Sequence, residues 1–344
     1  MGSNMGHSFR LTAAAAVLGV VTGAAHAEEL VVGAFGGSFA DNVKACHVGV
    51  FEKATGATVS LKLGNSSQFA AAIRATAGKP DMDVVYIDNS LAAQTHGEKL
   101  NEILDRKKLA SAGDLIPTAW GKDDSYVVAM VGATALVYNP KLVKTAPTSW
   151  LDLFDPAYAG KYAIGDITGT SGLQFLLALN KLKGGTLENL EPGFEAIKPL
   201  AKGSALLYTQ ADQLISLFER GEIVIAPWYP DRAGVAIDKG LPLAVAYPKE
   251  GAVGILPVIM IPKGTTKLEL AYKFIDQVLS AEGQACFSER AYLGSVNTKV
   301  KLSEKVQKIV PQGEALKNAW FIDPTVIAAN VANWTRRWQR DVAR

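Results

Sequence analysis

Apolar, β-rich runs alternate with helical segments from residue 30 onward, and this alternation constrains the fold more than any other feature of the chain. The runs LVVGAF, ATVSLKL and MDVVYI are each followed by a polar turn and a segment that reads as a helix. Repeated strand–helix units of this kind build a parallel sheet with helices on its faces. The sequence therefore predicts an α/β fold.

Polar residues follow each of these three strands, where the strand ends and the next helix begins. Ligands of such sheets bind outside the carboxyl ends of the strands. Ser, Asn and Asp also cap helices, and capping by itself explains any one of these residues. Because all three loops are alike, we interpret them together as the rim of a binding site. The rim residues are Gly37, Ser38, Ser66, Ser67, Asp88 and Asn89.

The N-terminus carries the features of a secretory signal peptide. Arg10 precedes the apolar run LTAAAAVLGVVTGA, and Ala25 and Ala27 are small residues two positions apart. The run is too short and too rich in Ala and Gly for a stable membrane span, which needs about 20 strongly apolar residues. An uncleaved membrane or amphipathic helix is the alternative. We predict that residues 1–27 are removed by cleavage after Ala27 and that the mature protein is periplasmic.

The charge balance and the few cysteines narrow the classes of partner and cofactor. The chain has 35 Lys and Arg against 33 Asp and Glu, which argues against nucleic acid or an anionic membrane as a partner. In an oxidising compartment the two cysteines, Cys46 and Cys286, favour a disulfide, with two buried free thiols as the alternative. His47 and His96 have no metal-ligand spacing around them. We expect no metal and no cofactor.

Segments along nearly the whole mature chain resemble, in order and spacing, periplasmic binding proteins of the spermidine/putrescine-binding type. These segments are FEKATGATV, VGATALVYNPKLV, TSWLDLFDPAYAGK, FERGEIVIAPW, VAYPKEGA, and IPKG followed by AYKFIDQVLS. The resemblance implies a two-lobe fold with crossing hinge strands and a ligand cleft between the lobes. It also implies that the helix with Cys286 returns to the lobe of Cys46. We expect a monomer whose partners are a small molecule and an ABC permease in the inner membrane.

Length and the resemblance together predict the domain division. More than 300 residues remain after the signal peptide, which is more than one core usually organises. We assign residues 28–132 and 258–310 to lobe 1 and residues 133–257 to lobe 2. Residues 311–344 are predicted to form a helical segment that packs on lobe 2. Thr134, in the small-residue stretch at the first crossing, is a candidate ligand contact.

The chain departs from polyamine-binding members of this family at their ligand positions. Those members place a Trp and an Asp two apart after a stretch like PKEGA, and the pair grips ammonium groups. Here the corresponding residues are Ile255, Leu256 and Pro257. The family also offers acids after the strand that ends here at Asp166, whereas this chain continues ITGTSG. These departures argue against a polyamine as the ligand.

The ITGTSG turn and a nearby arginine favour an anionic group on the ligand. Backbone N–H groups at a helix start suit a carboxylate or phosphate, and Thr168, Thr170 and Ser171 lie at this one. Arg232, in the stretch APWYPDRAG, can fork onto a carboxylate. An ordinary Thr/Ser-capped helix and a surface pair of Asp231 with Arg232 are the structural alternatives.

Two neighbours of Arg232 are further candidates. Trp228 stands where the resembling family usually has an aromatic wall of the cleft, and burial in the core is its alternative. Asp231 either pairs with Arg232 or holds an amino group. We interpret the chain as the binding component of an ABC importer for a small, carboxylate-bearing solute.

Two other functions remain open at this point. The first is a polyamine binder with a non-standard acid set drawn from Asp88, Asp166 and Asp231. The second is an exported α/β hydrolase. The sequence shows no nucleophile elbow, HExxH motif, P-loop or paired His/Cys constellation, and we therefore expect no enzymatic activity.

Overall fold

A computed structural model describes residues 1–2 and 27–343 of the chain. The predicted signal-peptide features from Arg10 to His26 lie outside the described residues. Within the described residues, no helix combines the length and the apolar character needed to cross a membrane.

The strands are short and are distributed over two main sheets and one two-stranded pair. In chain order they are β1 (Glu29–Phe35), β2 (Thr58–Gly64), β3 (Val84–Asp88), β4 (Val127–Val128), β5 (Gly132–Tyr138), β6 (Ala163–Gly165), β7 (Leu206–Tyr208), β8 (Ile225–Trp228), β9 (Ala244–Ala246), β10 (Val253–Ile255) and β11 (Pro257–Met260).

Helices connect most of these strands and form the C-terminal part of the chain. In chain order they are α1 (Ser38–Val43), α2 (Gly49–Thr55), α3 (Ser66–Ala75), α4 (Asn89–Gly97), α5 (Thr170–Leu182), α6 (Glu191–Gly203), α7 (Gln213–Glu219), α8 (Pro230–Asp238), α9 (Leu268–Leu279), α10 (Ala281–Ala291), α11 (Glu304–Gln307), α12 (Gly313–Lys317) and α13 (Pro324–Asp341). One π-helical turn, Lys44–Val48, joins α1 to α2.

The first sheet has the strand order β2–β1–β3–β11–β4 and forms the first unit of the molecule. β1 pairs in parallel with β2 and β3, as the strand–helix alternation predicts, whereas β11 runs antiparallel to β3 and β4. Leu30, Val32 and Ala34 alternate along β1 and are fully buried. Their apolar side chains join the core that α9 and α10 close from the C-terminal half of the chain.

The second unit is built around β5, which pairs antiparallel with β8, β9 and β10. The parallel pair of β6 and β7 lies beside β8, joined to it through the bridge between Tyr162 and Ile225. Every residue of β5 is buried, and α5 and α8 both pack on this strand. The apolar run ATALVY therefore forms a central strand of the second unit.

Two of the passages between the units in the described part of the chain lie next to strands of the two main sheets. The chain leaves the first sheet after β4 and enters the second at Gly132, and it returns between Ile255 of β10 and Pro257 of β11. These crossings lie next to the predicted boundaries at residues 132 and 257. The precise limits of the lobes stay a prediction.

The C-terminal helix α13 contacts both units. Trp334 and Trp338 are buried in the core of the second unit, where Phe194 of α6 belongs to the same cluster. α13 also packs against α4 of the first unit. The sequence prediction placed residues 311–344 on lobe 2 and omitted the contact with α4, because amphipathicity alone does not specify both packing partners.

The structure forms the disulfide between Cys46 and Cys286. Cys46 lies in the π-helical turn after α1 and Cys286 lies in α10, which packs on α1 within the first unit. The bridge therefore joins segments 240 residues apart in sequence, both in the same unit.

Candidate functional site

A cavity of about 330 Å³ lies between the two units, at the carboxyl ends of β3 and β6. We call it the polar cavity. One wall comes from the start of α4, the opposite wall from the start of α5, and α13 with the second crossing segment adds apolar residues. Its polar side chains are Asp88, Asn89, Ser90, Thr168, Thr170, Gln174 and Thr335. The structure thus brings four predicted site residues, Asp88, Asn89, Thr168 and Thr170, into one cavity.

The turn between β6 and α5 depends on glycine. A Cβ atom at Gly172 would overlap the main-chain carbonyl of Asp166, and one at Gly165 would lie 2.6 Å from the nitrogen of Gly172. Gly169 precedes α5 as its N-cap residue and offers no side-chain cap. This close approach turns the N-terminus of a 13-residue helix toward the polar cavity, where its dipole favours a negative group.

Asp166 holds this turn in place from within the protein. One carboxylate oxygen accepts hydrogen bonds from the main-chain nitrogen and the hydroxyl of Thr168, at 2.9 Å and 2.6 Å. The other accepts from Nε1 of Trp338 at 2.8 Å. Asp166 is buried, and both of its oxygens are occupied. It is therefore a structural residue. Asp166 is not available to a ligand, so it drops out of the set of acids that the sequence offered for binding a polyamine.

Asp88 is the acidic side chain of the polar cavity. Its main-chain nitrogen donates to Oγ of Ser66 at 3.0 Å, which ties the end of β3 to the start of α3. Asp88 is exposed, yet desolvation by the surrounding protein raises the pKa of its carboxyl, while a hydrogen bond with Ser66 acts in the opposite direction. Within the described residues this carboxylate has no basic partner, so a cationic group of a ligand can pair with it.

Gln174 adds a polar atom that lacks a partner. Its Nε2 donates to the carbonyl of Gly254 at 3.0 Å, which links α5 to the second crossing segment. Its Oε1 is buried and has no hydrogen-bond partner in the described structure, although the residue lines the polar cavity. Because a buried acceptor without a partner is costly, a ligand that donates a hydrogen bond here is favoured.

A second cavity of about 450 Å³ lies between the units near the end of β1. We call it the arginine cavity, and it is lined by Gly37, Ser38, Asp212, Arg232 and Lys239 among others. The guanidinium of Arg232 lies 3.9 Å from Asp212 and 3.8 Å from Asp231, so neither contact is a close ion pair. Three predicted residues, Gly37, Ser38 and Arg232, therefore meet in a cavity distinct from the one that contains Asp88.

Trp228 and Thr134 lie in the core, contrary to their prediction as ligand contacts. Trp228 is fully buried, and its ring packs 6.0 Å from that of Phe218, measured between centroids. Thr134 is fully buried in β5, opposite Val253 of β10. Both side chains are enclosed by the second unit, and neither lines the polar cavity or the arginine cavity.

Three serines predicted as ligand contacts, Ser66, Ser67 and Ser171, are absent from the walls of both interlobe cavities. Ser171 donates its main-chain N–H to the hydroxyl of Tyr229 at 2.9 Å, and its own hydroxyl lies 2.7 Å from that of Tyr208. Ser66 is buried and is bonded to Asp88. Ser67 is exposed on α3 and does not line either interlobe cavity. Ser66 and Ser171 therefore hold segments of the cleft walls together, and none of the three serines lines the polar cavity.

Asp231 lies at the start of α8, beside the arginine cavity. Its side chain is 27% exposed, and burial raises the pKa of its carboxyl to about 6, although Arg232 acts in the opposite direction. It is absent from the wall of the polar cavity. Asp231 and Asp88 therefore do not form one acid set.

Sequence reasoning missed part of the polar cavity. Gln174 follows Thr170 by one helical turn, so the same face of α5 carries both, and this spacing is readable from the sequence. Ile327, Val331 and Thr335 also recur at intervals of four on α13. Their place at the cleft depends on how α13 packs, which no local pattern shows. Among the described residues, no group of three or more His, Cys, Asp or Glu is arranged to hold a metal ion.

Comparisons with known proteins agree with this architecture. Residues 48–311 match the family described as bacterial extracellular solute-binding protein. The spermidine/putrescine-binding periplasmic protein of Escherichia coli (strain K12) is 26% identical over 296 residues, which cover 82% of this chain and 84% of that protein. A candidate 2-aminoethylphosphonate-binding periplasmic protein of Salmonella paratyphi A is 23% identical over 297 residues, covering 84% and 85%.

The fold is shared with solved structures as well. The crystal structure of an ABC transporter protein from Clostridium perfringens superposes with a TM-score of 0.79 at 26% identity, covering 91% of this chain and 99% of that one. The resemblance stated from the sequence and the two-lobe periplasmic-binding-protein fold are both confirmed.

Proposed function

The chain belongs to the bacterial extracellular solute-binding protein family, and from this premise we propose that it captures a small solute between its units and delivers it to an ABC importer. The cavity between the units, with polar side chains from both, is the observation that carries this function. A ligand that contacts both walls stabilises the closed arrangement, as in hinge-closing binding proteins.

The solute that fits the polar cavity carries a protonated amine at one end and an anionic group at the other. The unpaired carboxylate of Asp88 suits the ammonium, and Oε1 of Gln174 accepts one more hydrogen bond. The N-terminus of α5 suits the anionic group. A single acid in the cavity, with Asp166 occupied elsewhere, supports one ammonium group per ligand and not the two or more of a polyamine.

The names of the curated relatives are compatible with an amine on the ligand. One relative is named for spermidine and putrescine, which are amines without an acid group. The other is named for 2-aminoethylphosphonate, which carries both an amine and an acid. The arrangement of Asp88 opposite the start of α5 supports the second type of ligand for this chain.

A matched series of four-carbon compounds tests the charge pattern. We expect 4-aminobutanoate to bind, as measured by titration calorimetry, and putrescine, butanoate and succinate to bind at least tenfold more weakly. Asp88→Asn should weaken 4-aminobutanoate by about 10- to 100-fold, because a charge-assisted hydrogen bond is worth about 1.5–3 kcal/mol. Asp212→Asn, an exposed acid of the arginine cavity, is the control and should leave the affinity unchanged.

Other outcomes would assign a different ligand class. If putrescine binds more tightly than 4-aminobutanoate, the ligand is a polyamine. If succinate binds most tightly and Arg232→Ala weakens it ten- to a hundredfold, the arginine cavity is the binding site for an anion. The loosely paired guanidinium of Arg232 is the observation that favours this second candidate.

Export and the lack of catalysis complete the proposal. We propose a periplasmic protein whose signal peptide ends at Ala27, in line with the periplasmic relatives. We also propose that the chain binds its solute without transforming it, because the relatives are solute-binding proteins.

A further inference from the structure

An apolar cavity of about 620 Å³ lies on the far side of the second crossing segment. The first unit contributes Ile116, Val128 and Val131 to its wall, and the segment around α12 contributes Leu316 and Ala319. Thr118 and Lys317 are the polar side chains among its lining residues. A cavity of this size and composition accommodates an apolar group of several carbon atoms.

This apolar cavity adjoins the polar cavity directly. Leu256 and Phe321 line both cavities, so these two side chains form the partition between them. Leu256 lies between β10 and β11, at the point where the chain crosses from one unit to the other. A ligand in the polar cavity is therefore one side chain away from the apolar cavity.

Hydrogen bonds hold the main chain next to Phe321 in place, while its ring remains partly exposed. The nitrogen of Trp320 donates to the carbonyl of Ala252 at 2.8 Å, and the nitrogen of Gly254 donates to the carbonyl of Trp320 at 2.9 Å. Gly254 also makes room for the ring, because a Cβ there would overlap Phe321. Phe321 is nevertheless 39% exposed. An aromatic ring held in place and left uncovered is a surface for apolar contact.

We propose that the apolar cavity is the second compartment of the ligand site and that the solute carries an apolar substituent beside its amine and acid groups. The substituent passes between Leu256 and Phe321 and covers the open face of the ring. This inference rests on the proposed function, because the charged end of the same ligand occupies the polar cavity.

Paired compounds and paired variants test the inference by titration calorimetry. The probes are 4-aminobutanoate and 4-amino-3-phenylbutanoate, which differ only in the apolar group. We expect the phenyl compound to bind about 10- to 100-fold more tightly to the wild type, because a buried phenyl group contributes roughly this much. Ala319→Phe fills the apolar cavity and should bring this ratio close to one. Ala315→Phe, in the same segment but outside the cavity wall, should leave the ratio unchanged.

Asp88→Asn separates a failure of this inference from a failure of the proposed function. It should weaken both compounds equally and preserve their ratio. Equal affinities of the two compounds for the wild type, or an unchanged ratio in Ala319→Phe, would overturn the apolar compartment while leaving the charged site intact. If Asp88→Asn weakens neither compound, the proposed function of the polar cavity fails.

Discussion

At the scale of single residues, His47 is a buried base without a partner. It is fully buried in the π-helical turn, next to the disulfide, and neither ring nitrogen has a hydrogen-bond partner in the described structure. Its ring stacks on Phe287 with 5.5 Å between centroids and 8° between planes. Burial lowers the pKa of His47 from 6.5 to about 4, since the charged form would lose its hydration.

We predict that His47 makes the fold less stable in mild acid. Between pH 6.5 and about 4 the unfolded chain binds a proton that the folded chain does not, so the free energy of unfolding falls as the pH falls. From pH 7 to pH 5 this amounts to about 2 kcal/mol. Urea unfolding at the two pH values should show that His47→Phe, which preserves the stacking, removes this loss.

His96→Gln is the matched control for this measurement. His96 lies near the surface, where its Nε2 is 3.1 Å from Asp123, so its replacement should preserve the loss that His47 causes. An equal pH dependence in wild type and His47→Phe would contradict the assignment.

At the scale of secondary-structure elements, α13 supports the polar cavity from behind. Its Trp338 bonds Asp166, and Asp166 in turn bonds Thr168 at the turn before α5. Arg337 adds an ion pair with Glu191 of α6 at 2.6 Å and lies over the ring of Phe194. The last helix of the chain therefore positions a turn more than 150 residues earlier.

We predict that Trp338→Phe loosens this turn. The variant preserves most of the buried ring but leaves one oxygen of Asp166 without its donor, which should lower the free energy of unfolding by about 1–3 kcal/mol. Ligand affinity should fall with it, because Thr168 and the start of α5 line the polar cavity. Thermal unfolding and calorimetry would measure the two effects.

Trp334→Phe provides the comparison within the same helix. Trp334 is also buried in the core of the second unit, and no hydrogen bond links it to Asp166. Its replacement should affect stability while sparing the affinity for the ligand. Equal losses of affinity in both variants would mean that α13 contributes only general packing.

At the scale of the whole molecule, the first strand begins next to the predicted cleavage site. β1 starts at Glu29, and the carbonyl of Glu28 accepts a hydrogen bond from the nitrogen of Thr58 at 3.0 Å. Cleavage after Ala27 preserves this bond, whereas a cut beyond Glu28 removes it. A cut after Ala27 would therefore leave the hydrogen bonding of the first sheet intact.

We predict that the exported protein begins at Glu28, which N-terminal sequencing of periplasmic material would show. A variant truncated to begin at Leu30 should have a free energy of unfolding about 1 kcal/mol lower, because β1 loses its first hydrogen bond to β2. Recovery of a periplasmic chain that still contains Arg10 would refute the cleavage.

The sequence by itself determined the α/β class, the family and the single possible cysteine pair. These features rest on local patterns: strand–helix alternation, short segments in a fixed order, and the presence of two cysteines. It also indicated the start of α4, because ligands bind outside the carboxyl ends of parallel strands, and the start of α5, because a helix N-terminus suits an anionic group. Gln174 could also have been predicted from the sequence, because it follows Thr170 by one helical turn.

Only the tertiary structure decided which polar side chains remain free for a ligand. Asp166 and Asp88 look equivalent in sequence, since each follows a strand and precedes a helix. Trp338, 172 residues away, occupies Asp166, whereas the carboxylate of Asp88 is left to face the cavity. Trp228 is likewise buried by the packing of the second unit. Whether a carboxylate such as Asp88 or Asp166 is free or occupied depends on contacts between segments that are distant in sequence. Those contacts form only when the chain folds.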